Sequence, residues 1–457
     1  MTHSGSLPLA KYHRASSVGS GTFGSVLTVY NDNGEEYAIK IFAKEDDEPI
    51  DLGALREISC LRLLREGNTH SNIIAMVDVQ SSILDEDEEA GAGTDGLGMV
   101  LPLFPDGSVA GALTDERFKG LPRREKVKFA QELLSAVATL HDNGILHRDI
   151  KSDNVLLKVD ENGSYHPVLI DFSLAKPVNA TMFDIWTIPG NRKGKVDGTL
   201  AWNRDFQAFR HTGEVGTVTY TAPEVFQEEE PIYGTPMDLW SVGVVLLEVW
   251  CDQLLAAQKN SHALKMIESH LTNLPEDKPF PILLRNLLRI DPSLRWSARQ
   301  ALRSDAFAKL GLAEPPVRRM NVASALPVDS AEDDEGDSSA PSKAAQRKTL
   351  NRRRLVEKLC NELGGAEHPM TIPAALDYAV QMEQLDDELD DLSQSTSLLD
   401  CVVLSFRFWE RELLDLEGLR DIDTGYFAQW NLADYLDNES TLFLMLDYCL
   451  YPRCLRL

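Results

Sequence analysis

Apolar residues in the first part of the chain follow two different periods. Val, Tyr and Ile residues flank the dipeptide Asn33-Gly34, which is a frequent connection in two-residue hairpins. This pattern predicts a strand on each side of the turn, the second being EYAIKIF. A helical period follows, with apolar residues at Leu55, Ile58, Leu61 and Leu64. We therefore expect a hairpin followed by a helix with one apolar side.

Beyond Thr349 the apolar residues have a helical period in four stretches. These contain Leu355, Leu359 and Leu363; Leu376, Ala379 and Val380; Leu399, Val402, Phe406, Trp409 and Leu413; and Leu442, Leu446 and Cys449. They predict a small all-helical domain over 349–457. The preceding residues 313–348 are rich in Pro, Ala, Ser and acidic side chains without an apolar period, which predicts a disordered linker.

Length and charge limit the class of protein. At 457 residues, with 43% hydrophobic residues, the chain exceeds what one core usually organises, so two or three folding units are expected. The formal net charge is −27, and acidic runs such as 332–337 and 386–391 argue against direct nucleic-acid binding. The runs are most simply solvated loops, and the alternative is a docking patch for a basic partner.

The sequence contains few signals that indicate a cellular compartment. Neither a signal sequence nor a membrane-spanning stretch is recognisable, so we expect an intracellular protein of the nucleus, the cytoplasm or both. Basic residues Arg352 to Arg354 fit a nuclear import signal or the surface charge of a helix. The six cysteines have no zinc-site spacing and are expected to be reduced thiols.

The run HRDIKSDN at 147–154, followed by DFS at 171–173, carries the clearest chemistry. Phosphoryl transfer from a magnesium nucleotide needs one carboxylate at the incoming hydroxyl, and a second carboxylate and an amide on metal. Asp149, Asp171 and Asn154 fit these three roles.

The other parts of a phosphoryl-transfer site follow in a fixed order. Gly19, Gly21 and Gly24 lie in VGSGTFGSV, where missing side chains let backbone amides approach phosphates. Lys40 lies on the predicted strand, and Glu57 lies on the predicted helix at a position suited to an ion pair with Lys40. APE at 222–224 completes the set.

This ordered set resembles the eukaryotic protein kinases over about residues 11–312. The resemblance implies a bilobal α+β fold, with a β-rich N-lobe at about 11–101 and an α-rich C-lobe at about 105–312, which uses ATP and Mg²⁺. It implies that Asp149 takes the hydroxyl proton, that Asn154 and Asp171 hold metal, and that Thr217 places Asp149 and Lys151. Lys151 is the residue typical of serine/threonine kinases. Further residues implied to bind ATP are Val18, Gly19, Gly21, Gly24, Val26, Ala38, Lys40, Glu57, Leu101, Pro102, Phe104 and Leu156.

Within this family the chain resembles cyclin-dependent kinases most, through LREISCLRLL, SNIIAMVDV and DPSLRWSARQAL. In those kinases basic residues gather around a phosphothreonine, which here implies Arg56, Arg148 and Lys176 around Thr212. A phosphate brings nearly two negative charges and three acceptor oxygens, so such a cluster would order the loop that carries it.

Some residues depart from that pattern. Ser173 replaces the glycine of the DFG motif without removing a metal ligand. Thr219 and Thr221 replace a Trp and an Arg, and Gly216 replaces a valine that shapes the pocket for proline, so proline-directed specificity is in doubt. The alternative function is a pseudokinase scaffold, in which Ser173 and the long activation segment, Asp171 to Glu224, mark lost catalysis.

The C-terminal helical domain has two interpretations. LLDCVVLSFRFWERE and ESTLFLMLDYCLYP resemble the third and fifth helices of a cyclin box. Cyclins contact their kinase through a Lys and a Glu on these helices, and Arg407 and Glu439 stand at the matching positions. The activator partner would then be intramolecular rather than a separate cyclin-like protein. The alternative is a generic helical bundle packed on the kinase.

Overall fold

The computed structural model describes residues 12–21, 24–43, 49–66, 70–80, 96–177, 217–226, 234–308, 343–363, 371–386, 398–409, 416–421, 427, 430–446 and 450. Contacts divide the chain into two compact units. Unit 1 contains Met1–Glu66, Ala75–Leu103 and Asn321–Leu457, and unit 2 contains Gly67–Ile74 and Phe104–Met320. No helix in the described ranges is long and apolar enough to cross a membrane.

A five-stranded antiparallel sheet forms the first part of unit 1. Its strands are β1 (Tyr12–Gly21), β2 (Gly24–Asn31), β3 (Glu36–Ala43), β4 (Asp78–Gln80) and β5 (Gly96–Pro102), in the spatial order β1-β2-β3-β5-β4. Helix α1 (Leu52–Glu66) follows β3. The predicted hairpin is confirmed: Gly34 adopts φ +78°, and its N–H donates to the Asn31 carbonyl at 2.9 Å.

Unit 2 is mainly helical. Its helices are α2 (Val109–Thr114), α3 (Arg123–Asp142), α4 (Thr217–Tyr220), α5 (Thr235–Cys251), α6 (Asn260–Thr272), α7 (Pro279–Leu287) and α8 (Ala298–Leu302). Its short antiparallel strand pairs are β6 (Ile145–Leu146) with β9 (Lys176–Pro177), and β7 (Val155–Val159) with β8 (Tyr165–Leu169). Helix α5 is buried on all sides, because α3 and α7 both pack against it. It therefore forms the centre of this unit.

The C-terminal helices complete unit 1. They are α9 (Lys343–Glu362), α10 (Thr371–Asp386), α11 (Leu398–Trp409), α12 (Leu416–Arg420) and α13 (Leu432–Met445). Their shared core includes Val356, Leu359, Val402, Phe406, Tyr435 and Leu436. The four predicted helical stretches coincide with helices, although Leu363 and Leu446 lie one residue beyond the helix ends. Leu413 and Cys449 lie outside the described residues. Helix α11 contacts α1, so the C-terminal helices share a compact unit with the first sheet.

Together the sheet and the helical unit confirm the predicted α+β class. The exact domain and linker boundaries, 11–312, 313–348 and 349–457, stay predictions.

Candidate functional site

Lys40 and Glu57 form an ion pair within unit 1. The sheet register places Lys40 of β3 opposite Val26 of β2 and Met99 of β5. Its Nζ lies 2.6 Å from Oε2 of Glu57 on α1, and the Glu57 side chain is 2% exposed. A charge-assisted hydrogen bond of this length orients both partners. The position of α1 therefore fixes the position of the Lys40 ammonium.

The glycine-rich segment is the hairpin between β1 and β2. Gly19 pairs with Val26, Gly21 pairs with Gly24, and the register shift between Ser17 and Gly19 leaves Val18 in a bulge. Residues 22 and 23 at the tip lie outside the described part of the chain. The predicted loop glycines therefore lie on the two paired strands, and a glycine has no side chain to keep a ligand from its backbone amide.

The residues predicted around adenine divide between the two units. Val26, Ala38, Leu101 and Pro102 lie in unit 1, where Ala38 pairs with Leu101 across the sheet. Phe104 and Leu156 lie in unit 2, where Leu156 of β7 pairs with Val168 and forms a bridge with Ser108. Their part in nucleotide binding stays a prediction from the resemblance.

The run HRDIKSDN at 147–154, which we call the catalytic loop, brings Asp149, Lys151 and Asn154 together in unit 2. Nζ of Lys151 lies 3.1 Å from Oδ2 of Asp149. The Asn154 amide donates to the same oxygen at 2.8 Å and to the Asp149 main-chain carbonyl at 2.9 Å. Because Nδ2 makes both bonds, Oδ1 of Asn154 is the atom of this side chain suited to a cation.

The electrostatics of Asp149 suit a general base. Burial raises the pKa of its carboxyl to about 6, and Asp171 adds to this, while the Lys151 ammonium opposes the rise. Such a carboxyl is mostly ionised at neutral pH. It is also a stronger base than an exposed aspartate, as proton abstraction from a hydroxyl requires.

Asp238 of α5 braces the loop from below. Its carboxylate accepts the N–H groups of His147 and Arg148, each at 2.9 Å, and contacts the His141 ring at 2.9 Å. These bonds hold Arg148 at φ +66°, a left-handed conformation that is uncommon outside glycine. Burial lowers the pKa of His147, so its neutral ring donates to the Ile170 carbonyl at 3.0 Å. Both Asp238 and His141 thus lie beneath the catalytic loop, and no local pattern around His141 pointed to this contact.

The segment after β8 positions Asp171. Asp171 adopts φ +65°, the Phe172 ring lies 4.8 Å from the His147 ring, and Nε of Arg148 donates to the Leu174 carbonyl at 2.7 Å. Contacts through Phe172 and Leu174 thus tie the segment that carries Asp171 to the catalytic loop.

A buried glutamate beneath the loop was not predicted. Glu248 of α5 accepts hydrogen bonds from the Ser152 hydroxyl, from the Tyr220 hydroxyl at 3.0 Å and from the Leu255 N–H at 2.8 Å. It joins the catalytic loop to the end of the activation segment. Burial raises the pKa of Glu248 to about 8. Nearby, Glu224 and Arg295 form a buried ion pair, with N–O distances of 2.7 and 2.9 Å.

The structure describes only some of the basic residues predicted to bind a phosphate on Thr212. Arg56 is buried in α1 of unit 1, and Arg148 lies in unit 2. Thr212 and Gly216 lie outside the described residues, as do the side chains of Lys176 and Thr217. The predicted roles of these residues stay predictions.

Within unit 1, two of the C-terminal helices contact Ile50, which lies two residues before the start of α1. Arg407 of α11 and Glu439 of α13 form a buried ion pair. Oε2 of Glu439 accepts the Ile50 N–H at 2.6 Å, and the Arg407 guanidinium donates to the Ile50 carbonyl at 2.8 Å. Within α1 itself, Ser59 Oγ accepts the Leu450 N–H at 3.2 Å. We refer to Arg407, Glu439 and Ile50 as the α1 clamp.

The donor set of unit 2 fits magnesium. The Asp171 carboxylate and the Asn154 amide oxygen are hard oxygen ligands, which Mg²⁺ prefers. Such ions are usually held by one or two carboxylates together with phosphates.

Comparison with known protein families gives a match. The model of the protein kinase domain matches residues 12–307 of this chain.

Individual relatives point to one branch of that family. Cyclin-dependent kinase 9 of Xenopus tropicalis is 29% identical over 262 residues, which cover 57% of this chain and 61% of that protein. Cyclin-dependent kinase 9 of Danio rerio is 28% identical over 261 residues, covering 56% and 61%. The chain thus spans about three fifths of the length of the curated relatives that it matches.

Proposed function

The chain belongs to the protein kinase family and is similar to cyclin-dependent kinases, and on this premise we propose that it phosphorylates serine and threonine residues of proteins. The observation that carries the proposal is the catalytic loop, in which Lys151 lies 3.1 Å from the Asp149 carboxylate. A lysine at this position offsets charge on the transferred phosphoryl group, and it is the residue found in serine/threonine kinases.

The described residues divide the work of the reaction. Asp149 orients the acceptor hydroxyl and takes its proton, since burial keeps its carboxyl basic. Asp171 and Asn154 would hold Mg²⁺, which neutralises charge on the phosphates of ATP when bound. Lys40, oriented by Glu57, grips those phosphates. No described residue favours the pseudokinase alternative, because all of these groups are present.

The acceptor class has a direct test. Three peptides that differ only in a central Ser, Thr or Tyr are incubated with the full chain and labelled ATP. We expect label in the Ser and Thr peptides and at most background in the Tyr peptide, and efficient labelling of the Tyr peptide would refute the proposed acceptor class. Lys151→Ala serves as the variant expected to lose turnover.

The α1 clamp supports a second part of the proposal, namely that the C-terminal helices act as a built-in, cyclin-like activator. They form hydrogen bonds with Ile50, just before the N-terminus of α1, the helix that carries Glu57. Since Glu57 orients Lys40, a fixed α1 keeps the phosphate-binding lysine in place. A tether also raises the effective concentration of such a domain to roughly millimolar for a short flexible linker.

Regulation by phosphorylation of Thr212 is the third part, supported by the similarity to cyclin-dependent kinases. An added phosphate would order its loop through basic side chains such as Arg148. A Thr212→Ala variant should have lower activity than wild type after treatment with an activating kinase. Equal activity would exclude the switch.

A further inference from the structure

Ser173 stands where protein kinases usually carry glycine, and the structure gives it a contact. Its hydroxyl donates to Oδ1 of Asp171 at 2.7 Å, and its N–H approaches the same oxygen at 3.4 Å. Ser173 is 1% exposed. The Ser173 side of this hydrogen bond is therefore shielded from solvent.

Backbone geometry does not require glycine here. The non-glycine residues with positive φ in the described chain are Glu116, Arg148, Asp171 and Asp252, and Ser173 is not among them. Serine therefore occupies the position without the strain of a left-handed conformation. Its side chain adds a polar contact that glycine cannot make.

The effect of that contact falls on a metal ligand. Ordering a carboxylate side chain on metal binding costs conformational entropy, and each hydrogen bond made beforehand narrows the orientations that the side chain samples. A buried hydroxyl at 2.7 Å removes part of this freedom beforehand. Both Ser173 contacts fall on Oδ1, and a carboxylate has acceptor directions on each of its two oxygens, so this bond is compatible with metal binding through the carboxylate.

We propose that Ser173 is a positioning residue that orients the Asp171 carboxylate for the magnesium ion of the nucleotide. The inference rests on the proposed kinase function. It gives the hydroxyl at this position a role that a glycine could not fill.

The chain contains a matched control. At Asp291-Pro292-Ser293 the same spacing recurs, with the Ser293 hydroxyl 2.6 Å and the Ser293 N–H 2.9 Å from Oδ1 of Asp291. Ser293 is exposed and lies outside the catalytic machinery. Ser293→Ala therefore removes the same local hydrogen bond without touching the metal ligand.

The test compares full-length wild type, Ser173→Ala, Ser173→Gly and Ser293→Ala. Binding of Mn²⁺ in the presence of a non-hydrolysable ATP analogue is followed by electron paramagnetic resonance, and turnover is measured over a range of Mg²⁺ concentrations. We expect roughly fivefold weaker Mn²⁺ binding and a roughly fivefold higher half-saturating Mg²⁺ concentration in both Ser173 variants, the effect of one typical hydrogen bond. At saturating metal, kcat should match wild type, and Ser293→Ala should match wild type throughout.

The outcomes separate this inference from the proposed function. Active wild type with unchanged or tighter metal binding in Ser173→Ala overturns the positioning role and leaves the kinase assignment intact. A loss of kcat at saturating metal without a shift in Mn²⁺ affinity also overturns it, because the hydroxyl would then act in another step. Inactive wild type, by contrast, is a failure of the proposed function, and the Mn²⁺ affinity still decides the role of Ser173.

Discussion

The α1 clamp makes a quantitative prediction about coupling between the C-terminal helices and α1. Arg407 and Glu439 are 6% and 0% exposed, so removing one partner leaves the other charge buried without its counter-ion. Arg407→Met leaves the Glu439 carboxylate without its counter-ion, and Glu439→Gln does the same to the Arg407 guanidinium. The double variant contains neither buried charge, and the Gln amide oxygen can still accept the Ile50 N–H.

The expected size follows from the burial of the pair. Breaking a buried ion pair on one side costs about 3–5 kcal/mol. Since about 1.4 kcal/mol is a factor of ten, each single variant should shift the docking equilibrium of the C-terminal helices by roughly two to four orders of magnitude. The double variant should recover at least half of this free energy, because both uncompensated charges are gone.

Amide hydrogen exchange of α1 measures this equilibrium directly, since the exchange rate reports the free energy of local opening. Each single variant should accelerate exchange in 52–66 by those orders of magnitude and reduce kcat/KM, because Glu57 on α1 orients Lys40. Arg353→Ala is the control, because it breaks an ion pair with Glu357 whose side chains are 45% and 43% exposed. Such pairs contribute about 0–1 kcal/mol, so exchange in α1 should stay near wild type.

Two results would refute the reasoning about the clamp. Single variants with wild-type exchange in α1 would mean that the ion pair does not hold the helix. Faster exchange with unchanged kcat/KM would mean that docking of the C-terminal helices has no influence on catalysis.

Two further predictions concern pH. The raised pKa of Asp149 predicts that kcat/KM falls about tenfold per pH unit below about pH 6, because the protonated carboxyl cannot accept the hydroxyl proton; a flat profile down to pH 5 would contradict its role as base. Glu248 has a folded pKa of about 8, above its ordinary 4.5, so its native state keeps a proton that the unfolded chain releases. Its contribution to stability is therefore full below pH 4.5 and is lost as pH rises through 8, by up to about 1.4 kcal/mol per pH unit. Glu248→Gln should remove that part of the pH dependence in urea denaturation, and an unchanged difference between pH 5.5 and pH 8 would contradict it.

Local pattern was sufficient for the elements that carry the site. Asn33-Gly34 predicted the β2–β3 hairpin, and the spacing of Leu55 to Leu64 predicted α1, because turn chemistry and helical period are properties of neighbouring residues. The motif order also placed Asp149, Lys151 and Asn154, which lie within six residues of one another.

Long-range contacts between residues outside any motif could not be predicted. Ser152 and Glu248 form a hydrogen bond although 96 residues separate them. Neither the apolar period of α5 nor the catalytic-loop motif predicts this contact. The same holds for Ser59 and Leu450, 391 residues apart. Ser173 was visible only as a departure from a pattern, because its hydrogen bond depends on its backbone conformation. Helix α12 was missed since a five-residue helix carries too little period to recognise.

Transfer of the γ-phosphate from labelled ATP to a serine- or threonine-containing protein substrate, by wild type and by Asp149→Asn, tests the central claim most directly. Asparagine preserves the size of the side chain but cannot take the hydroxyl proton. We expect incorporation by wild type that depends on Mg²⁺, and a loss of at least a hundredfold in the variant, as for removal of a general base. Equal incorporation by the two proteins would contradict the assignment of this chain as a protein kinase that uses Asp149.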